Sequence, residues 1–261
     1  MTHSESRFTT GTFTPAPRPA APMKMLATQT RMELTLLLRN GEQLLLTMFI
    51  PIALLIGLTV LPIGDDVITI DTLVPAIMAV AVMSTAFTGQ AIAVGFDRRY
   101  GALKRLGATP LPKWGIIAGK TLAVVIVVAL QAVLLGAIGL ALGWRPEPMG
   151  LLIGVGALAF GVFAFASLGL LVGGTLKAEV VLALANLLWF VMGAIGSLVV
   201  VNRHLPDAVV LLARLSPSGA LTEALIRATT VGGLDLFGGA VLLAWGLVGS
   251  AAAVRLFRFT G

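Results

Sequence analysis

"GIIAGKTLAVVIVVALQAVLLGAIGLAL", residues Gly115 to Leu142, admits two readings that lead to different proteins. Its start resembles a phosphate-cradling loop, which needs Gly, four residues and then Gly-Lys-Ser/Thr so that successive backbone N–H groups wrap the phosphates. Only three residues separate Gly115 from Gly119, and Trp114 stands where the first glycine belongs. The loop should also follow a strand, whereas "GATPLPKW" precedes it. The apolar run after Thr121 is one that no nucleotide-binding domain would expose. Lys120 is therefore read as a residue at a membrane boundary, and the run behind it as a membrane-spanning helix.

The whole composition agrees. Hydrophobic residues make up 57% of the 261 positions and charged residues 11%, against about 45–50% and 25% in a soluble domain. The chain is an integral membrane protein. It has no cysteine, which excludes disulfides and thiolate metal sites. Its two histidines, His3 and His204, lie too far apart in sequence to suggest a histidine metal cluster. A net charge of +6 would point to nucleic acid in a soluble protein. Around apolar spans it reports topology, and no nucleic-acid partner is expected.

Residues 1–22, "MTHSESRFTTGTFTPAPRPAAP", are rich in Thr, Ser and Pro without an apolar run. They are expected to be a disordered tail, because nothing in them offsets ordering entropy by burial. Neither do they have the basic start and apolar core of a signal peptide. Residues 23–41, "MKMLATQTRMELTLLLRNG", mix Met25, Leu26, Met32, Leu36 and Leu37 with Lys24, Arg31, Glu33 and Arg39. They read as an interfacial amphipathic helix with its basic residues toward lipid headgroups. Residues 42–258 hold six apolar segments, about 43–62, 72–96, 114–142, 150–172, 179–201 and 236–254, each near the ~20 residues a bilayer core demands. The expected fold is all-α with six transmembrane helices, since backbone polar groups in lipid must be satisfied within a segment and these runs lack the alternation of a barrel. Gly-xxx-Gly pairs at 115/119, 139/143, 150/154 and 169/173 favour close helix approach, within the chain rather than between subunits.

Lysines and arginines orient the bundle. A cytoplasmic N-terminus places fourteen of them inside and four, Arg145, Arg203, Arg214 and Arg227, outside. That is a positive-inside bias. The acidic first outer loop, "GDDVITID", agrees. Both termini are expected in the cytoplasm, in a cell membrane.

The most informative connection is "FDRRYGALKRLGATPLPKWGIIAGK", Phe96 to Lys120. Arg98, Arg99, Lys104 and Arg105 flank Tyr100, Leu103 and Leu106, which predicts a short helix before Gly107 and the Pro110/Pro112 stop. Anionic lipid alone would account for the charges. It would not call for a compact helix with protruding Tyr and Leu, closed by "TPLP" and a boundary tryptophan.

Here the chain resembles the permease subunits of ABC-2-type ATP-binding-cassette transporters, the group that includes bacterial drug-resistance, polysaccharide and lipid exporters. The residues that carry the likeness are Asp97-Arg98-Arg99-Tyr100-Gly101-Ala102-Leu103-Lys104-Arg105-Leu106, then Thr109-Pro110 and Gly119-Lys120. Asp97 stands where Glu is usual and Ala102 where Thr is usual. The resemblance extends over about residues 24–258 through the span order, the N-terminal helix and the late outer loop. It implies a coupling helix, Asp97 to Leu106, that docks into a separate ATP-binding subunit. Leu103 and Tyr100 would anchor that contact and the arginines would set its register. ATP and Mg²⁺ would then belong to the partner, with no cofactor and no catalytic residue in this chain. A second permease copy and membrane lipids would complete the assembly, which would export a hydrophobic or amphipathic substrate.

The outer connection, Asn202 to Asp235, has its own helix signal: Ser216 can cap, Pro217 suits the first turn, and Glu223 pairs with Arg227 four residues on. An interfacial or partly re-entrant helix is expected there. Polar residues inside spans are candidates for the pathway or for interhelical bonds. They are Gln90, Gln131 and Asn186, with Ser84, Thr85 and Thr88. Asn186, Trp189, Gly193 and Gly196 share a face of the fifth span, a candidate pathway or dimer seam. The rival function, an autonomous secondary carrier or channel, is disfavoured because no carboxylate is expected deep in a span and no internal repeat is visible. An intramembrane enzyme is disfavoured by the lack of paired carboxylates within spans.

Overall fold

The computed structural model describes residues 20–41, 45–60, 69–201 and 205–258, and every regular element among them is helical. The bundle is all-α, as the apolar runs require. Residues 1–19 of the expected tail, Asp65 and Asp66 of the acidic loop, and Arg203 and His204 lie outside the described residues.

The first helix, α1, is Pro22–Arg39 and lies across the start of a later span. The face it turns to the protein is mixed, with Leu37 packed against the core beside buried polar residues. Gln29 and Glu33 are buried, while Met32, Leu36, Leu38, Arg31 and Arg39 are exposed. Next comes α2, Thr47–Val60, opened by a π-helical turn at Leu45–Phe49. It is shorter than the expected 43–62 span, whose remaining positions 43–44 and 61–62 are not described. Among the described residues five helices are long and apolar enough to cross a membrane: α3, Ile70–Arg99; α5, Lys113–Ala141; α6, Pro148–Thr175; α7, Ala178–Val200; and α10, Leu236–Leu256. Within α3 the residues Met83–Gly89 form a π-helical segment, a widening that sequence pattern does not announce. The short α4 is Ala102–Gly107.

The connection after α7 carries the expected Ser216–Pro217 helix and a further helix before it. It contains two helices, α8, Asp207–Leu215, and α9, Pro217–Val231, bent by 103°. Ser216 sits at the bend and caps α9 by accepting a 3.0 Å hydrogen bond from the Gly219 amide. Arg214 donates to both oxygens of buried Asp235 at 2.9 and 3.1 Å and lies over the Phe237 ring, which fastens the elbow to the start of α10. This elbow is no exposed linker. Leu221, Leu225, Ala220 and Ala228 are core residues, and α9 packs against α3, α6, α7 and α10.

Small residues set the tightest contacts. A Cβ at Gly173 would collide with the Ala91 carbonyl oxygen, and one at Gly150 with that of Ala228. At Gly169 it would stand 2.9 Å from the carbonyl oxygens of both Ala86 and Phe87. These glycine pairs therefore serve packing of α6 inside the chain. The main core lies between α3, α6, α7 and α9, around Phe87, Phe165, Met83 and Leu221.

Candidate functional site

Sequence reasoning placed nine site residues in Asp97–Leu106, and the structure divides them between two tasks. α3 ends at Arg99, and the chain turns through Gly101, whose φ of +70° suits a residue without Cβ. The Arg105 amide then donates to the Gly101 carbonyl at 3.0 Å, starting α4. Leu103 points back into the bundle. It is 1% exposed, clustered with Val94 and Ile116 and flanked by half-buried Leu106, Leu111, Leu170 and Phe257. The expectation that Leu103 protrudes is thus corrected. On so short a helix, one large apolar side chain must seat the element on its own protein.

Arg98 is also turned inward. Its Nη1 donates to the carbonyls of Gly173 and Leu176, at 3.0 and 2.9 Å, where α6 ends. A cation there satisfies orphan carbonyls and complements the helix dipole. Arg99 pairs with Glu179 in the first turn of α7. Asp97 accepts a 2.5 Å bond from Lys120 Nζ, and the same ammonium donates to Glu33 Oε2 at 2.8 Å. Gln29 Nε2 completes Glu33 by donating to its other oxygen at 2.7 Å. Lys120 is accordingly no simple boundary residue. It is a buried hub joining α1, the end of α3 and the first turns of α5.

What remains available is a compact patch. Tyr100 is 66% exposed, Lys104 and Arg105 are exposed without a partner among the described residues, and Trp114 projects nearby at the start of α5. The exposed loop Gly107–Pro110 continues it, braced where Thr109 Oγ1 donates to the Leu106 carbonyl at 2.6 Å. The site has the form of a basic and aromatic knob on a pinned base.

The polar residues within spans separate in the same way. Gln131 is buried structural glue. Thr85 Oγ1 donates to its oxygen at 3.0 Å, and its Nε2 donates to the Thr47 carbonyl at 2.9 Å, tying α5 to α3 and α2. Gln90 is buried with neither amide atom bonded among the described residues. Trp189 Nε1 donates to Ser84 Oγ at 2.8 Å, joining α7 to α3. Asn186 instead lies exposed and donates to the Leu182 carbonyl of its own helix at 2.8 Å. The face expected to run from Asn186 to Gly196 is therefore a flank, exposed at one end and buried at the other. Among the described residues there is no group of three or more His, Cys, Asp or Glu able to hold a metal ion.

Glu33 and Lys120 were the residues that sequence reasoning missed as a pair. The available signal was a lysine about two turns inside an apolar helix, which demands an acidic partner somewhere.

A bundle of long apolar helices with a pinned, basic helix between its second and third apolar segments is the architecture of a helical membrane protein. The family model of the ABC-2 family transporter proteins matches residues 57–255, and the chain belongs to that family. Such permeases are the membrane subunits of ABC transporters, and they associate with ATP-binding subunits. No curated protein matches the chain in sequence.

Proposed function

We propose that this chain is the permease half of an ATP-driven exporter for hydrophobic or amphipathic molecules, driven by a separate ATP-binding subunit that docks on α4. The observation that carries the reading is the division of labour in Asp97–Arg105. Asp97, Arg98, Arg99 and Leu103 are engaged within the chain, while Tyr100, Lys104 and Arg105 are left displayed on a rigid base. A rigid aromatic anchor ringed by cations suits an acidic cleft, the aromatic giving affinity and the charges register. The excess of lysine and arginine at this end supports its facing the cytoplasm, where ATP is available. A second copy would complete the pathway along α7, whose apolar residues are largely uncovered.

The test is co-purification of an ATP-binding subunit from native membranes with the wild-type chain and with a Tyr100→Asp/Lys104→Glu/Arg105→Glu variant. Loss of about 2 kcal/mol at such an anchor lowers association about 30-fold, while membrane levels of the chain stay normal because its buried contacts are untouched. Leu103→Asp is unsuitable, since it disrupts the seat of α4 itself. Undiminished recovery of an ATPase with the triple variant would remove α4 as the docking element. Transport by this chain with no ATPase present would remove the exporter reading.

A further inference from the structure

At the end of the bundle away from α4, helices α2, α3, α7 and α9 border a half-open cavity of about 160 Å³. Val80 and Met83 of α3 and Met192 and Gly196 of α7 form much of its wall, and Ser218 and Thr222 of α9 its polar side. The volume is close to the ~150 Å³ that accepts a benzene ring in an apolar interior. A close-packed protein has few such voids. This one exists because α7 presents Gly193 and Gly196 where other residues would fill the space. The two methionines can reshape to a guest.

Thr222 decides the chemistry. It is 4% exposed, and among the described residues its hydroxyl makes no hydrogen bond. On the same helix Thr229 and Thr230 return their hydroxyls to carbonyls four residues back, at 2.9 and 2.7 Å. Thr222 Oγ1 instead lies 3.4 Å from where a Cβ on Gly196 would stand, at the cavity wall. Ser197 and Ser218, its neighbours on the wall, already bond the Ala194 carbonyl and the Ser216 hydroxyl. The hydroxyl is accessible from the pocket and has no partner among the described residues, so an occupant that supplies one is favoured over one that cannot. Lipid acyl chains offer only methylenes and would leave it unpaired.

We infer that this cavity binds the end of a small amphipathic molecule: an aromatic ring or short alkyl segment that carries one oxygen or nitrogen able to hydrogen-bond Thr222. The ligand class is that of the cargo proposed above, so its assignment as a substrate subsite rests on that reading. Binding itself does not.

The experiment uses the permease alone in phosphatidylcholine nanodiscs, photolabelled with a diazirine-bearing octanol and, separately, with the corresponding diazirine-bearing octane. Adducts are mapped by mass spectrometry. The octanol should label Met83 and Met192 well above lipid-exposed Phe190. Gly193→Leu should lower cavity labelling about tenfold by filling the space. Its first added atom would meet only the end of Met83, at 3.7 Å, so the backbone has no clash. Thr222→Val, nearly the same shape, should lower octanol labelling about fivefold, the worth of one hydrogen bond, and leave octane labelling unchanged. If Gly193→Leu fails to insert, Thr222→Val carries the test alone. Equal labelling of cavity and Phe190, or octane labelling the cavity as well as octanol, would overturn the inference. Because no ATPase is present, either result leaves the docking test standing on its own.

Discussion

The α4 end of the bundle and the outward face of α7 are built on opposite plans. At the α4 end Glu33, Asp97, Arg98 and Arg99 all have partners within the chain, Lys120 joins two carboxylates, and α6 lets α3 approach to backbone contact at Gly173. On α7 only 17% of the most apolar stretch is buried, against 39% for α6 and 72% for α3, although all three are apolar enough to span. Phe190, Leu187 and Val191 face outward, with Asn186 as the polar residue among them. Hydropathy is thus a poor guide to what a span does. Small residues and buried charges lock helices together, and a span without them is free to meet lipid or another subunit.

The strongest way to break the contrast is to unlock the charged end. Lys120→Met removes the partner of Glu33, whose side chain is 8% exposed, and leaves a carboxylate buried without a counter-ion. The expected cost is about 3–5 kcal/mol. It should appear as a large fall in the thermal-unfolding midpoint of the purified chain, with premature loss of α1 seen as proteolysis near Arg39. Adding Glu33→Leu should restore most of the stability, because a matched apolar pair avoids the desolvation penalty. A Lys120→Met protein as stable as wild type would show that the hub does not hold α1 in place.

A smaller effect should separate α6 from α7 directly. Gly173→Val drives a branched side chain into the Ala91 carbonyl and Val94, an overpacking worth about 1–3 kcal/mol. Gly193→Val on α7 meets only the tip of Met83 and should stay within about 0.5 kcal/mol. Thermal unfolding of the two variants side by side gives the answer. Equal losses would mean that the glycines of α7 are packed as tightly as those of α6.

What sequence could and could not reveal follows the same division. Apolar runs and the Ser216–Pro217 helix start were legible because each is a local signal: length and a cap. Long-range choices were not. Tyr100 and Leu103 are both large and near neighbours, and only the tertiary seat of α4 decides that one is displayed and the other buried. Glu33 and Lys120 stand 87 positions apart, and nothing local pairs them. The depth of α9 was hidden for a related reason. Ser218, Thr222, Glu223 and Thr229 look like a solvated face, yet much of that side is turned into the core, where it lines a cavity and bonds carbonyls.

The finest test concerns Asn186. Its Nδ2 bonds the Leu182 carbonyl, a contact it keeps in any environment, whereas its oxygen has no partner among the described residues. On a helix face turned to lipid that oxygen would be a small net cost, and Asn186→Leu would leave association unchanged. On a face turned to a second copy the amide would meet its symmetry mate or a nearby hydroxyl across the seam, as polar side chains between membrane helices do. Such interhelical bonds average about 0.6 kcal/mol, so Asn186→Leu should weaken dimerisation about threefold. The measurement is the monomer–dimer equilibrium in nanodiscs or dilute detergent, read by native mass spectrometry. Phe160→Leu on α6, also exposed but on another span, serves as the control for nonspecific loss. A threefold shift confined to Asn186→Leu would assign α7 to the copy interface. Identical equilibria for wild type and both variants would assign that face to lipid and place the second copy elsewhere.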